Sequence, residues 1–195
     1  MKSKTLTLTV FLMVLAVGMS FAADKYSIDL AHSYAGFTVK HLVITNVKGN
    51  FTDFSGEINY DANDITKSSV NVTIKAASIN TDNETRDNHL KSADFFDVEK
   101  FPEITFASTK IEKSGDSFTM HGNLTIHGVT KEVAIPFDMT GKITDPWGKE
   151  RIAFEGSTKI SRNDFGMTWN KAIETGGVVV GDEVKIELQV EAVKM

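Results

Sequence analysis

Cysteine is absent from all 195 residues, which excludes disulfide cross-links and an N-terminal cysteine carrying lipid. An exported fold of this kind must therefore be held by its core alone. Long apolar runs are scarce too: past residue 22, none approaches the roughly 20 residues a spanning helix needs. The first 22 residues are different. Lys2 and Lys4 open them, Leu6 to Val17 carry no charge, and Ser20-Phe21-Ala22 places small residues three and one before a cut. That is the pattern of a secretory signal peptide over residues 1–22, and it leaves one domain over residues 23–195. No low-complexity tract or linker-like shift of composition divides that domain.

Catalytic signatures are also missing. There is no G-x-S-x-G elbow, H-E-x-x-H helix, P-loop or G-x-G-x-x-G turn. Asp61-Ala62-Asn63-Asp64 lacks the glycine and distal glutamate of a calcium loop. Ser33 beside His32 is adjacency along the chain, with no triad implied. His121 and His127 stand six residues apart on one strand, near 20 Å at about 3.3 Å per residue, too far to share an ion. His32, His41 and His89 show no ligand spacing. The expectation is a non-enzyme without metal or cofactor. Excess positive charge is lacking as well: the net charge is −5, and removing Lys2 and Lys4 takes it to −7. Both signs are interspersed, which argues against nucleic acid or an anionic membrane as a partner.

What the chain does have is alternation. Val70, Val72, Ile74 and Ala76 alternate with Asn71, Thr73 and Lys75; Phe118, Met120, Leu124 and Ile126 alternate with polar residues and with two histidines. The pattern continues through Val133 to Met139, Ile152 to Phe154, and Val184 to Val190. Successive side chains of a strand point to opposite faces, so each segment is a strand with one apolar face.

The strands predicted are Tyr26–Leu30, Tyr34–Val39, one long strand from Lys48 to Tyr60 bent at Gly56, Ser68–Ala76, Ile104–Ile111, Phe118–Ile126, Val129–Ile143, Arg151–Ile160 and Glu183–Val193. Lys40 to Asn46 reads as a short turn or helical crossing. Ser114-Gly115-Asp116, His127-Gly128 and Asp145-Pro146-Trp147-Gly148 read as turns. A short helix follows Asp82, which serves as its cap, with Asp87 and Lys91 paired toward water and Arg86, His89 and Leu90 on the other side.

About eight antiparallel strands make an all-β domain, either a sandwich without a cavity or a barrel able to enclose a ligand. Gly36, Gly56, Gly122 and Gly156 among bulky phenylalanines would leave room inside, which favours the barrel.

Ordered blocks of sequence then become specific. Asp29-Leu30-Ala31-His32-Ser33, Gly36-Phe37-Thr38-Val39-Lys40-His41-Leu42, Arg86-Asp87-Asn88-His89-Leu90-Lys91-Ser92, Phe101-Pro102-Glu103-Ile104-Thr105-Phe106, Gly122-Asn123-Leu124-Thr125-Ile126-His127-Gly128 and Ser161-Arg162-Asn163-Asp164-Phe165-Gly166 together resemble the YceI-like, lipocalin-like family. The resemblance implies an exported, periplasmic barrel whose apolar tunnel holds a polyisoprenoid, either an isoprenoid quinone or a polyprenyl phosphate. Some members carry other long-chain amphiphiles.

The tunnel lining then comprises Phe37, Val39, Phe54, Ile58, Val72, Ile74, Phe106, Met120, Leu124, Ile135, Phe137, Phe154, Ile186 and Leu188. Arg86, His89, Arg162 and Asp164 are the head-group candidates, against structural readings in which Arg86 pairs with Asp94 or Asp97 and Arg162 with Asp164. The partners expected are an isoprenoid lipid or quinone and a second copy of the chain in a homodimer, with no stable membrane insertion. Two other readings stand beside this one. A filled core would carry no ligand, and a small outer-membrane barrel would put its apolar residues outside.

Overall fold

The computed structural model describes residues 23–115, 117–172 and 177–195. The predicted signal peptide lies outside these residues, as does Asp116 of the first predicted turn. Eleven strands form one sheet: β1 (Asp24–Ile28), β2 (Tyr34–His41), β3 (Thr45–Phe51), β4 (Phe54–Tyr60), β5 (Ser69–Lys75), β6 (Ile79–Asn80), β7 (Glu103–Ser114), β8 (Ser117–Ile126), β9 (Val129–Thr144), β10 (Glu150–Ser161) and β11 (Val180–Lys194). One helix, α1 (Glu84–Lys91), lies between β6 and β7.

Strand β1 pairs with both β4 and β11, so β1, β4, β5, β7, β8, β9, β10 and β11 close an antiparallel, eight-stranded, lipocalin-like barrel. The remaining three strands, β2, β3 and β6, extend the sheet from the other half of β11. Tyr26 faces Ile58 across β1 and β4, and Phe37 faces Gly49 across β2 and β3. Hence β1 with β2, β4 with β3, and β5 with β6 are each one long strand broken in the middle.

The breaks lie side by side. Leu30–His32 and Ala76–Ser78 are single 3-10 turns. Between them, Thr52 donates its amide to the Ser78 carbonyl at 3.1 Å, and Lys75 donates to the Asp53 carbonyl at 2.9 Å. These bonds replace ladder bonds, which is why the strand predicted as continuous from Lys48 to Tyr60 stops at Thr52-Asp53. Leu30 leaves the first strand because it opens the Leu30–His32 turn, which the Asp29 side chain caps by accepting the Ala31 amide. The segment Lys40 to Asn46 contains no helical crossing; β2 and β3 join there through a tight turn.

Two apolar clusters occupy the ends. Tyr26, Ile58, Tyr60, Ile152 and Ala192 fill one. Ile104, Phe106, Leu124, Ile126 and Ile135 gather at the other, around Phe165 and Met167 of the segment after β10. Outside, Lys159 pairs with Glu183 and Lys185 with Glu187, both at 2.8 Å and exposed. His121 accompanies them there, 3.0 Å from Glu112. Charged pairs on the outer wall are the reverse of the apolar band a membrane barrel needs.

Gly122 departs from expectation. It sits on the inner face, but a Cβ there would lie 2.4 Å from the Phe106 ring and 2.7 Å from the Ala107 carbonyl. The strand opposite bulges between Ser108 and Lys110, so Gly122 permits close backbone approach and adds nothing to the interior space. Replacing it with leucine would strain the wall itself, so it is no clean probe of a tunnel.

Candidate functional site: an apolar cavity with a basic hollow at its mouth

Between the two end clusters the barrel encloses a cavity of about 260 Å³. Its walls include Phe37, Val39, Phe54, Ile58, Val72, Ile74, Phe106, Met120, Leu124, Ile135, Phe137, Phe154, Ile186 and Leu188. The period of two places these side chains inside while Lys159, Lys185 and Glu187 remain outside. The glycines expected to leave room do not supply it: a Cβ at Gly36 would run into the Tyr34 ring, at Gly56 it would meet the Asn71 carbonyl at 2.6 Å and at Gly156 the Pro136 carbonyl at 2.9 Å. Leu188 stands opposite Ala35 on one neighbouring strand and Gly156 on the other. Glu155 and Arg162 are the only charged residues along the wall among those described.

Part of the lining comes from outside the strands. No ladder joins β6 to β7 among the described residues, and there Leu90, Phe95 and Phe96 face the cavity. Phe96 meets Phe51 edge-on, with ring centroids 5.8 Å apart. The clustering of aromatics after α1 was visible in the sequence, but no strand period assigned them to the interior.

A second hollow of about 180 Å³ adjoins the cavity, and the two share Phe37, Val39, Leu90, Phe95 and Val180 as walls. Its polar lining is basic: Lys40, His41, Arg86 and His89. The helix α1 supplies two of these residues, and its start is fixed by Asn83, whose side chain accepts the Arg86 amide at 2.9 Å. Asn83 thus replaces Asp82 as the cap. Asp82 instead takes a left-handed backbone, φ 59°, with its amide bonded to the Asn80 side chain.

Asp87 does not face water with Lys91. It is buried and accepts from the amide and hydroxyl of Thr81. Thr81 in turn holds Arg86, accepting Nε at 2.8 Å on its hydroxyl and Nη2 at 2.8 Å on its carbonyl. The anchor expected from Asp94 or Asp97 is therefore Thr81, backed by Asp87. His89 bonds Asp94 at 2.9 Å and lies edge-on to Trp169 and Phe95, at 4.9 and 5.0 Å. Trp169 was not singled out in the sequence, since nothing local marks it.

Arg162 and Asp164 part company. Arg162 is 4 % exposed and donates to the backbone carbonyls of Gly181, Met167, Trp169 and Val180. Burial pulls its guanidinium below the ordinary arginine value, with Asp182 opposing. Asp164 is exposed, and no ion pair joins it to Arg162 among the described residues. Arg162 thus splices the turn after β10 to the start of β11, its donors committed to the backbone.

Another charged cluster lies at the far end. Asp29, His32 and Glu191 bring ligand-type atoms within 4.8 Å of one another. Arg151 already donates to both carboxylates, at 2.9 and 2.5 Å, and to Asp145 at 2.7 Å. A guanidinium on those oxygens competes with any cation, and the group reads as an ion-pair network.

A closed antiparallel barrel around an apolar cavity defines a lipocalin-like, ligand-binding class of protein. The YceI-like domain model matches residues 26–192, and the chain belongs to that family. It is 42 % identical over 170 residues to a UPF0312 protein of Serratia proteamaculans, covering 86 % of this chain and 88 % of that one. The solved YceI protein of Campylobacter jejuni is 40 % identical, with a TM-score of 0.70 over 80 % of this chain and 90 % of that one. A polyisoprenoid binding domain from Saccharophagus degradans superposes with a TM-score of 0.67 over 90 % of this chain and all of its own, at 15 % identity. That last likeness is one of fold.

Proposed function

We propose that this protein is an exported, periplasmic carrier that holds a polyisoprenoid, an isoprenoid quinone or a polyprenyl phosphate, in the barrel and catalyses no reaction on it. The observation that carries this reading is the junction of an almost wholly apolar cavity with a smaller basic hollow. Apolar burial contributes roughly 25 cal/mol per Å², so a chain of isoprene units needs few polar contacts to bind firmly. The basic hollow suits the polar end of such a molecule. Arg86 and His89 are the head-group contacts of this reading: both line the hollow, held there by Thr81 and Asp94, and neither is buried as Arg162 is. Arg162 is a poorer candidate, since its donors already serve backbone carbonyls, and Asp164 poorer still, being exposed and anionic. The family relationship and the polyisoprenoid-binding fold neighbour support the same direction.

Organic extraction of the purified protein followed by mass spectrometry tests the reading. An isoprenoid lipid in near-stoichiometric amount is expected. A lipid-free protein that also takes up neither quinone nor polyprenol would overturn it and leave the filled-core reading, in which the cavity serves no ligand.

A further inference from the structure

The turn joining β2 to β3 breaks the sequence rule for its own geometry. Leu42 and Val43 have φ of 51° and 65°, and Ile44 donates its amide to the His41 carbonyl at 3.2 Å. Positive φ at both central positions is the type I′ hairpin turn, whose usual residues are Asn-Gly. A β-branched residue there is an outlier. Nothing in the barrel compensates, because Val43 is 64 % and Ile44 82 % exposed. Strain combined with exposed apolar surface is what a binding tip shows when its partner is elsewhere.

The tip is the centre of a larger patch. Leu42 donates its amide to the Val179 carbonyl at 2.9 Å, and Val179 donates to the Lys171 carbonyl at 3.0 Å. Val178 beside it is also exposed. Lys40 and Lys171 flank the patch, both exposed, and the Lys171 ammonium lies over the Trp169 ring at 5.9 Å. The patch also borders the basic hollow, since Lys40, His41, Trp169 and Val179 all line it. The exposed Trp147 at the opposite end has no such setting. Its turn carries glycine at the left-handed position, Gly148 with φ 83°, and Asp145 satisfies its amides.

We propose that the Leu42-Val43-Ile44 tip docks the mouth of the barrel on a phospholipid membrane surface, reversibly and without spanning it. Val43 and Ile44 enter the interface, Lys40 and Lys171 face anionic headgroups, and the hollow opens toward the bilayer from which the cargo comes. This rests on the lipid-carrier reading above. The negative net charge of the whole chain argued against an anionic membrane partner; docking departs from that expectation only at the rim, where the exposed Val43 and Ile44 lie beside Lys40 and Lys171.

The test uses the protein without residues 1–22, whose apolar stretch would bind lipid by itself; the first and last strands of the closed barrel are β1, from Asp24, and β11, to Lys194. Sedimentation with vesicles of phosphatidylethanolamine and phosphatidylglycerol is compared with phosphatidylcholine vesicles. The protein is expected to co-sediment with the first more than with the second. A Val43→Gly/Ile44→Thr variant is expected to lose about tenfold in vesicle partitioning, with its melting temperature held or raised because glycine suits the turn. Lys40→Gln/Lys171→Gln should erase the preference for phosphatidylglycerol. Equal partitioning of the tip variant and the parent would overturn the proposal. So would a parent protein that ignores vesicles, or one whose tip instead drives dimerisation. Lipid extracted from the same preparations is the separate readout for the cargo: its absence sinks the carrier reading, while a loaded protein that ignores vesicles sinks only the docking.

Discussion

At one end of the barrel Tyr26, Ile152 and Ala192 are wholly buried, and Tyr26 meets Tyr60 edge-on with ring centroids 6.0 Å apart. The Tyr26 hydroxyl donates to Glu150, whose carboxylate also pairs with Lys142 at 3.2 Å and Lys194 at 3.5 Å. At the other end the three broken strands splay away, α1 stands where a ladder is missing, and Val43 and Ile44 reach into water. The closed end has the consistency of a folding core, with packing, pairing and hydrogen bonds all agreeing. The mouth violates that consistency in its turn residues and its exposed apolar groups. Both ends carry a buried apolar cluster, but only the mouth combines its cluster with a strained turn and exposed apolar side chains.

The largest effect is expected from breaking the closed end. Ile152 has no exposure and sits between Lys142 on β9 and Ala192 on β11. Ile152→Ala should cost about 2–5 kcal/mol, the range for truncating a buried aliphatic side chain. Denaturant unfolding of the ligand-free protein measures it, and the lipid bound per folded molecule should be unchanged. A loss below about 1 kcal/mol would mean that this end does not anchor the barrel.

Filling the middle should separate ligand from fold. Leu188→Trp points into the cavity between the small neighbours Ala35 and Gly156. Lost lipid uptake is expected, with a stability change in the ligand-free protein below the ~1–3 kcal/mol of true overpacking. Unchanged uptake with a heavily destabilised fold would indicate that this part of the interior is already full.

Much of the closed end and the wall was legible in the sequence, because alternation states directly which side chains face inward. Phe106, Phe137, Phe154 and Ile186 follow from the period alone. The mouth was less legible. Asp87 was expected to face water because i,i+4 spacing with Lys91 says nothing of Thr81, whose amide and hydroxyl lie behind the helix. The break at Thr52-Asp53 follows from hydrogen bonds to the Ala76–Ser78 turn, a long-range fact with no local signal. Gly122 looked like spare volume, when it serves the close approach of Phe106 and the Ala107 carbonyl. The segment Lys40 to Asn46 was legible only as a short turn or a helical crossing, because Leu42 and Val43 contradict the left-handed conformation they adopt.

A smaller effect, set by pH, should sharpen the contrast at the closed end. The bond from His32, followed by that from Arg151, holds the Asp29 carboxyl below its ordinary value, and the bond from Arg151 does the same most strongly for Asp145. A carboxylate depressed in the folded state adds stability that is complete above its unfolded pKa, about 4, and is lost as pH falls through the folded value. Arg151→Met removes the guanidinium they share. Asp145 keeps the amides of Trp147 and Lys149 as donors, at 3.0 and 2.9 Å, so its charge is not orphaned. The variant should melt below the parent at neutral pH, and the gap should narrow once pH falls below about 4. Melting temperatures across an acidic series measure this. A gap independent of pH would mean that Arg151 acts through the packing of its stem, and that the charges around it contribute little to closing this end.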